Sequence, residues 1–181
     1  VLMSDIPMGK GPQVSVGELA KAVGGQIRGD GNRRVAGIRQ DSRKVEAGDL
    51  FIARKGEQAD GLRFVPQAIR QGAGAILVER GHEPDAVEVP VVVVEDIKRS
   101  IGPAAAEIFG HPTRFLQVVG ITGTNGKTTT SYLSRASIDG CGKSCGVLGT
   151  LGAFFKDFAF DAGHTTPEAD DVMRLAARML S

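Results

Sequence analysis

Val118-Val119-Gly120-Ile121-Thr122-Gly123-Thr124-Asn125-Gly126-Lys127-Thr128-Thr129-Thr130 decides how this chain is read. The apolar run that leads into it, Phe115 to Val119, predicts a buried strand, and Gly-Lys-Thr-Thr predicts the start of a helix. Strand, glycine-rich turn and helix together form the arrangement that holds nucleotide phosphates. Glycines let successive backbone N–H groups converge on an anion, and the helix N-terminus adds unpaired donors and a positive dipole end. Lys127 can reach the β and γ phosphates, and the Thr128 hydroxyl can ligate Mg²⁺. The common pattern Gly-x4-Gly-Lys-Ser/Thr has Ile121 in place of its first glycine; here the glycines stand at 120, 123 and 126. A ligand-free turn between strand and helix is the competing reading, and Lys-Thr directly after the glycines argues against it.

The bulk properties are those of a globular chain. It has 181 residues, 41% hydrophobic and 24% charged, and room for one large domain or two small ones. A net charge of +1 gives no support for a polyanion-binding surface, so nucleic acid is not an expected partner. No apolar run approaches the roughly 20 residues of a membrane span, and no signal peptide precedes the first helix. Cys141 and Cys145, four apart with no nearby histidine, read as ordinary thiols in a reducing cytoplasm, and a zinc site is not expected. His82, His111 and His164 show no ligand spacing and read as structural or solvated.

Working outward from the phosphate loop, residues 1–14 mix Pro, Gly and Met and predict a flexible leader. Val16, Leu19, Ala20 and Val23 repeat at helical spacing up to Gly24-Gly25. Short strands are expected at Gln26 to Arg28 and Arg34 to Arg39, and a clear one at Leu50 to Ala53. A helix with Phe64, Val65, Ala68 and Ile69 on one face, strands at Ala75 to Val78 and Val89 to Val94, and a Pro-containing helix at Ile97 to Phe109 follow. Gly110-His111-Pro112 marks the domain boundary, giving residues 15–110 and 111–181. Strands alternating with helices imply an α/β fold with a largely parallel sheet. Beyond the phosphate loop, a helix at 128–139, strands at Ser144 to Leu148 and Ala153 to Phe160, and an amphipathic helix from Thr166 are expected. In that last helix Thr166 reads as N-cap, and Asp170, Asp171, Arg174 and Arg178 read as its solvated face. A phosphate-loop sheet of about three strands is a poor complete core, which implies that the second domain is truncated.

The seven residues Gly123 to Thr129 resemble the ATP loop of the Mur ligases, which join amino acids to UDP-muramoyl precursors of peptidoglycan. Further motifs extend the resemblance from about residue 15 to the end of the chain. Asp41-Ser42-Arg43, Gly48-Asp49-Leu50-Phe51 and Gly56-x-Gln58-Ala59-Asp60-Gly61 resemble the N-terminal, UDP-binding domain of the branch that adds the third stem-peptide residue. Gln40 and Glu57 depart from that branch, where Leu and His are frequent. His164-Thr165-Thr166-Pro167 resembles the Thr-Thr-Pro motif of the central domain, and Gly146 to Thr150 the strand after the loop helix.

The resemblance implies an N-terminal UDP-muramoyl substrate-binding domain followed by the start of an ATP-binding central domain. It implies an ATP-dependent amide ligase, cytoplasmic and monomeric, that uses ATP and Mg²⁺. Its substrates would be UDP-N-acetylmuramoyl-L-alanyl-D-glutamate and an amino acid, meso-diaminopimelate or L-lysine. Ser42, Gln58, Ala59, Thr165 and Thr166 would contact the muramoyl substrate. Gly123, Thr124, Asn125, Gly126, Lys127, Thr128 and Thr129 would hold ATP, with Lys127 catalytic and Thr128 on the metal. The remaining magnesium carboxylate, the carbamylated lysine and the amino-acid-presenting domain lie beyond Ser181 in relatives, so no turnover is expected of this chain alone. Two alternatives stay open: the D-alanyl-D-alanine-adding relative, which usually has Asp-Thr-Arg at the Ser42 motif, and a non-catalytic UDP-sugar-binding module.

Overall fold

Strand β1 (Val14–Ser15) runs directly into helix α1 (Val16–Val23), because Ser15 both ends the extended segment and caps the helix. Its hydroxyl accepts the Glu18 N–H while the Glu18 carboxylate accepts the Ser15 N–H, the reciprocal pair of a capping box. The Ser15 hydroxyl also donates to Glu18 and holds its carboxyl below the ordinary glutamate range. In this computed structural model residues 11–56, 60–160 and 167–180 are described. Gly11 N–H donates to Ala36 C=O and Val14 pairs with Val35, so ordered structure begins ahead of the leader boundary expected at residue 14.

The chain divides into two units, residues 10–111 and residues 112–181. In the first, β2 (Gln26–Arg28), β3 (Arg34–Val35) and β4 (Gly37–Arg39) follow α1. The strand expected over 34–39 is thus two, since Val35 pairs with β1 while residues from Gly37 on pair elsewhere. Then come β5 (Asp49–Ile52), α2 (Val65–Arg70), β6 (Ala75–Glu79), β7 (Val91–Val94) and α3 (Ile97–Ile108).

One five-stranded sheet in the order β2-β7-β6-β5-β4 organises this unit. Strands β4 to β7 are mutually parallel and β2 is antiparallel at the edge, in agreement with the α/β expectation. The central strands read as continuous apolar runs because both faces are covered. Phe51, Ile76, Val78, Val91 and Val93 pack with Val65 and Ala68 of α2. Period-two alternation turns Leu50, Ile52, Leu77 and Val92 to the opposite face, where α1 and α3 lie against each other and the sheet. The carboxyl ends of four parallel strands therefore open on one edge, which is where open α/β sheets bind ligands.

In the second unit, α4 (Lys127–Gly140) starts at the expected place. β8 (Val147–Gly149), β9 (Gly152–Phe155) and β10 (Phe158–Phe160) form a three-stranded antiparallel meander, and α5 (Ala169–Leu180) ends the described chain. The single strand expected at Ala153 to Phe160 is a hairpin. Lys156, at φ 51°, makes its turn, the positive φ that two-residue hairpin turns demand. The expected strand at Ser144 starts only at Val147.

Three expectations are corrected here. Phe115 to Val119 is not a buried strand: it has no ladder partner among the described residues, and Phe115 and Val119 are 73% and 81% exposed. A strand of a parallel sheet needs neighbours to take its N–H and C=O groups, and the meander offers none to this run. Helix α5 begins at Ala169, with the Glu168 carbonyl accepting the Val172 N–H, so Glu168 takes the cap position expected of Thr166, which lies outside the described residues. Asp170 and Arg174 are buried where a solvated face was expected. They bond each other across one helical turn, Arg174 also bonds Asp171, and burial pushes the Asp171 carboxyl above its ordinary range.

Candidate functional site

At the carboxyl end of β4, Asp41 caps a 3-10 turn over Ser42–Lys44. Its carboxylate accepts the Arg43 N–H at 3.0 Å and, bidentately, the Arg43 guanidinium at 3.0 and 2.8 Å. The Arg43 side-chain bond holds the Asp41 carboxyl below the ordinary aspartate range. Ser42, between them, is only 6% exposed, and its Oγ donates to Oε1 of Gln67 on α2 at 3.0 Å. Arg39, the last residue of β4, is buried under this turn. Its Nε donates to the Lys44 carbonyl at 3.0 Å and lies 3.5 Å from the buried Asp49 carboxylate.

The loop after β5 opens on the same edge of the sheet. Gln58 and Ala59 lie outside the described residues, as do Thr165 and Thr166. The loop closes on Asp60, whose Oδ1 accepts the Leu62 N–H at 2.9 Å and lies 2.7 Å from Nε2 of His82, just after β6. The Leu62 N–H, then His82, keeps the Asp60 carboxyl below its ordinary range. His111 likewise meets Glu107 one helical turn away, so both described histidines have carboxylate partners.

In the second unit, Gly123 at φ 152° and Gly126 at φ 77° bend the loop, and Gly126 is the N-cap of α4. A Cβ at Gly126 would meet nothing within 4 Å, so the backbone conformation, not crowding, demands glycine there. No side chain caps α4, which leaves the first-turn N–H groups to a ligand. Lys127 Nζ donates to the Gly123 and Thr124 carbonyls at 2.6 and 3.3 Å, so the ammonium sits over the loop. Thr128 Oγ1 lies 3.3 Å from Oγ1 of Thr150, the residue after β8, bringing the expected neighbour strand beside the loop. Tyr132 of α4 meets Phe154 of β9 edge-on at 5.7 Å and fixes the helix to the meander.

These residues fit a nucleotide triphosphate: N–H donors at a helix start, one ammonium and one hydroxyl, all exposed or half-exposed. They fit magnesium through Thr128 alone. Among the described residues no three His, Cys, Asp or Glu side chains cluster, and Mg²⁺ commonly completes its shell with phosphate oxygens and water.

Sequence reading missed Gln67, Arg39 with Asp49, and Asp60 with His82. The second of these had a signal: an arginine ending an otherwise apolar strand needs a buried carboxylate, and Asp49 opens the next strand.

A largely parallel α/β unit with polar turns on its carboxyl edge, followed by a glycine-rich loop at the start of a helix without a side-chain cap, is the class of fold these residues define. The chain belongs to the Mur ligase family: the family's catalytic-domain model matches residues 34–108, and the Mur ligase middle domain matches residues 121–181. The phosphate loop lies at the start of the second match. UDP-N-acetylmuramoyl-L-alanyl-D-glutamate--2,6-diaminopimelate ligase of Geobacillus thermodenitrificans is 39% identical over 90% of this chain and 32% of its own length. The protein of the same name from Alkalilimnicola ehrlichii is 42% identical over 82% of this chain and 32% of its own length. A solved structure of a UDP-N-acetylmuramoyl-L-alanyl-D-glutamate--2,6-diaminopimelate ligase superposes with TM-score 0.70 at 26% identity, covering 93% of this chain and 34% of that one. UDP-N-acetylmuramoylalanyl-D-glutamyl-2,6-diaminopimelate--D-alanyl-D-alanyl ligase from Acinetobacter baumannii gives 0.59 at 28%, covering 76% and 30%. The chain thus spans about a third of the length of the curated relatives it matches.

Proposed function

We propose that this chain carries the UDP-substrate site and the ATP phosphate site of an ATP-dependent ligase. That ligase adds 2,6-diaminopimelate to UDP-N-acetylmuramoyl-L-alanyl-D-glutamate in cytoplasmic peptidoglycan precursor synthesis. The observation that carries the proposal is the loop in which Lys127 and Thr128 sit at the start of α4, downstream of a sheet edge bearing Asp41-Ser42-Arg43. The choice of diaminopimelate is supported by the names of the relatives at 39% and 42% identity.

In this reading ATP phosphorylates the terminal carboxylate of the substrate, and the incoming amine attacks the acyl phosphate with loss of phosphate. Gly123 to Gly126 and the first turn of α4 cradle the phosphates. Lys127 turns from the loop carbonyls to the transferring phosphoryl and offsets its developing charge. Mg²⁺, when bound through Thr128, would neutralise phosphate charge. Ser42, Gln58 and Ala59 contact the UDP end, and Thr165 and Thr166 the muramoyl-peptide.

Calorimetric titration tests this. Binding of UDP-N-acetylmuramoyl-L-alanyl-D-glutamate, weakened by Ser42→Ala, is expected, with weaker binding of the diaminopimelate-extended tripeptide nucleotide. Preference for the tripeptide nucleotide would favour the D-alanyl-D-alanine-adding relative instead.

A further inference from the structure

The geometry points to Gln67 as a positioning residue that acts through Ser42, accepting the hydrogen bond its hydroxyl donates so that Ser42 meets its ligand as a hydrogen-bond acceptor. The inference rests on Ser42 being a substrate contact, as proposed above. A serine hydroxyl has one proton and two lone pairs. In this structure the proton is committed: Oγ donates to Oε1 of Gln67 at 3.0 Å. What remains for a ligand are the lone pairs, which suit a donor such as a uracil N–H or a ribose hydroxyl and repel a phosphate oxygen.

The arrangement is built from both sides. The turn that carries Ser42 is closed by the Lys44 N–H on the Asp41 carbonyl at 3.0 Å, and Arg39 holds the Lys44 carbonyl from beneath. Gln67 comes from α2, whose Val65 and Ala68 are anchored in the core beside it. A long flexible side chain whose neighbours on the helix are packed is pre-set at its root, so the Ser42 rotamer is held before any ligand arrives. With only 6% of Ser42 exposed, little of it is open to a ligand, and the acceptor sense of its hydroxyl bears on what the pocket accepts.

The test is a double-mutant cycle read by calorimetric titration of the full chain with UDP-N-acetylmuramoyl-L-alanyl-D-glutamate. Gln67→Leu, which removes the acceptor, is expected to weaken binding about five- to tenfold, the range of one hydrogen bond. Gln67→Glu keeps an acceptor and is expected to stay within about threefold of the parent. In a Ser42→Ala background, Gln67→Leu is expected to change affinity by less than about twofold, because its target is gone. A thermal unfolding scan of each variant separates misfolding from lost positioning. Equal losses from Gln67→Leu with and without Ser42 would overturn the inference, as would parent affinity in Gln67→Leu when Ser42→Ala binds weakly. An unchanged affinity in Ser42→Ala itself would instead overturn the substrate role of Ser42, and the inference with it.

Discussion

The Arg39 guanidinium and the Asp49 carboxylate lie 3.5 Å apart with side chains 7% and 1% exposed, and they join the two ends of the segment that carries Ser42. Arg39 ends β4 and Asp49 begins β5, and Asp49 also accepts the Glu46 N–H at 2.9 Å. Removing Asp49 leaves the buried Arg39 guanidinium with the half-exposed Glu46, 3.6 Å away, as its carboxylate partner. Asp49→Ala is still expected to destabilise the first unit by about 3–5 kcal/mol in denaturant unfolding. Replacing both with apolar residues, as in Arg39→Met with Asp49→Leu, is expected to cost clearly less than that single change. A double variant as unstable as Asp49→Ala would show that the pair is not coupled in this way.

Acid sensitivity follows from the same edge of the sheet. The folded pKa values of Asp41 and Asp60 are lowered, by the Arg43 side-chain bond and by the Leu62 N–H respectively. A carboxylate with a depressed folded value contributes stability above its unfolded pKa of about 4 and loses it as pH falls through the folded value. Stability of the first unit should accordingly fall below about pH 4, and Asp41→Asn or Asp60→Asn should flatten that part of the curve. Unfolding free energy measured from pH 6 to pH 3 checks this; identical slopes in parent and variants would contradict it.

Gly61 is constrained by contact. A Cβ there would run into the Arg54 carbonyl oxygen, which accepts the Gly61 N–H at 3.0 Å. The obstacle is backbone and cannot swing aside. Gly61→Ala is expected to cost about 1–3 kcal/mol and to weaken binding of the muramoyl nucleotide by displacing the turn at Asp60. A parent-like melting temperature and affinity would show that the turn yields freely.

Gly126 is constrained by conformation instead. At φ 77° a side chain costs about 1–2 kcal/mol, although nothing lies within 4 Å of its place. Gly126→Val should weaken ATP binding more than binding of the muramoyl nucleotide, whose proposed UDP contacts Ser42, Gln58 and Ala59 lie in the other unit. Loss of both would mean that the units do not bind independently.

The sheet of the first unit was legible because its signals are local and agree with one another. Val16, Leu19, Ala20 and Val23 repeat at helical spacing, Gly24 stops the helix, and Leu50-Phe51-Ile52 and Val91 to Val94 are runs that only a doubly covered strand buries. The glycine-rich turn before α4 was legible for a similar reason, since Gly123 and Gly126 are needed at positive φ. Phe115 to Val119 misled because an apolar run states a preference for burial, while strand formation also needs a partner ladder. Asp170 and Arg174 misled because charge pattern reads as exposure until the pair that makes burial tolerable is seen. Gln67 had no signal: its partner is twenty-five positions away, across an intervening strand.

The assignment of residues 120–128 as a nucleotide-phosphate site is tested most directly by calorimetric titration of the chain with magnesium-ATP, beside Lys127→Ala. Loss of the ammonium that now sits on the Gly123 carbonyl should weaken binding about tenfold or more. Equal binding by parent and variant, or no binding by the parent, would contradict the assignment.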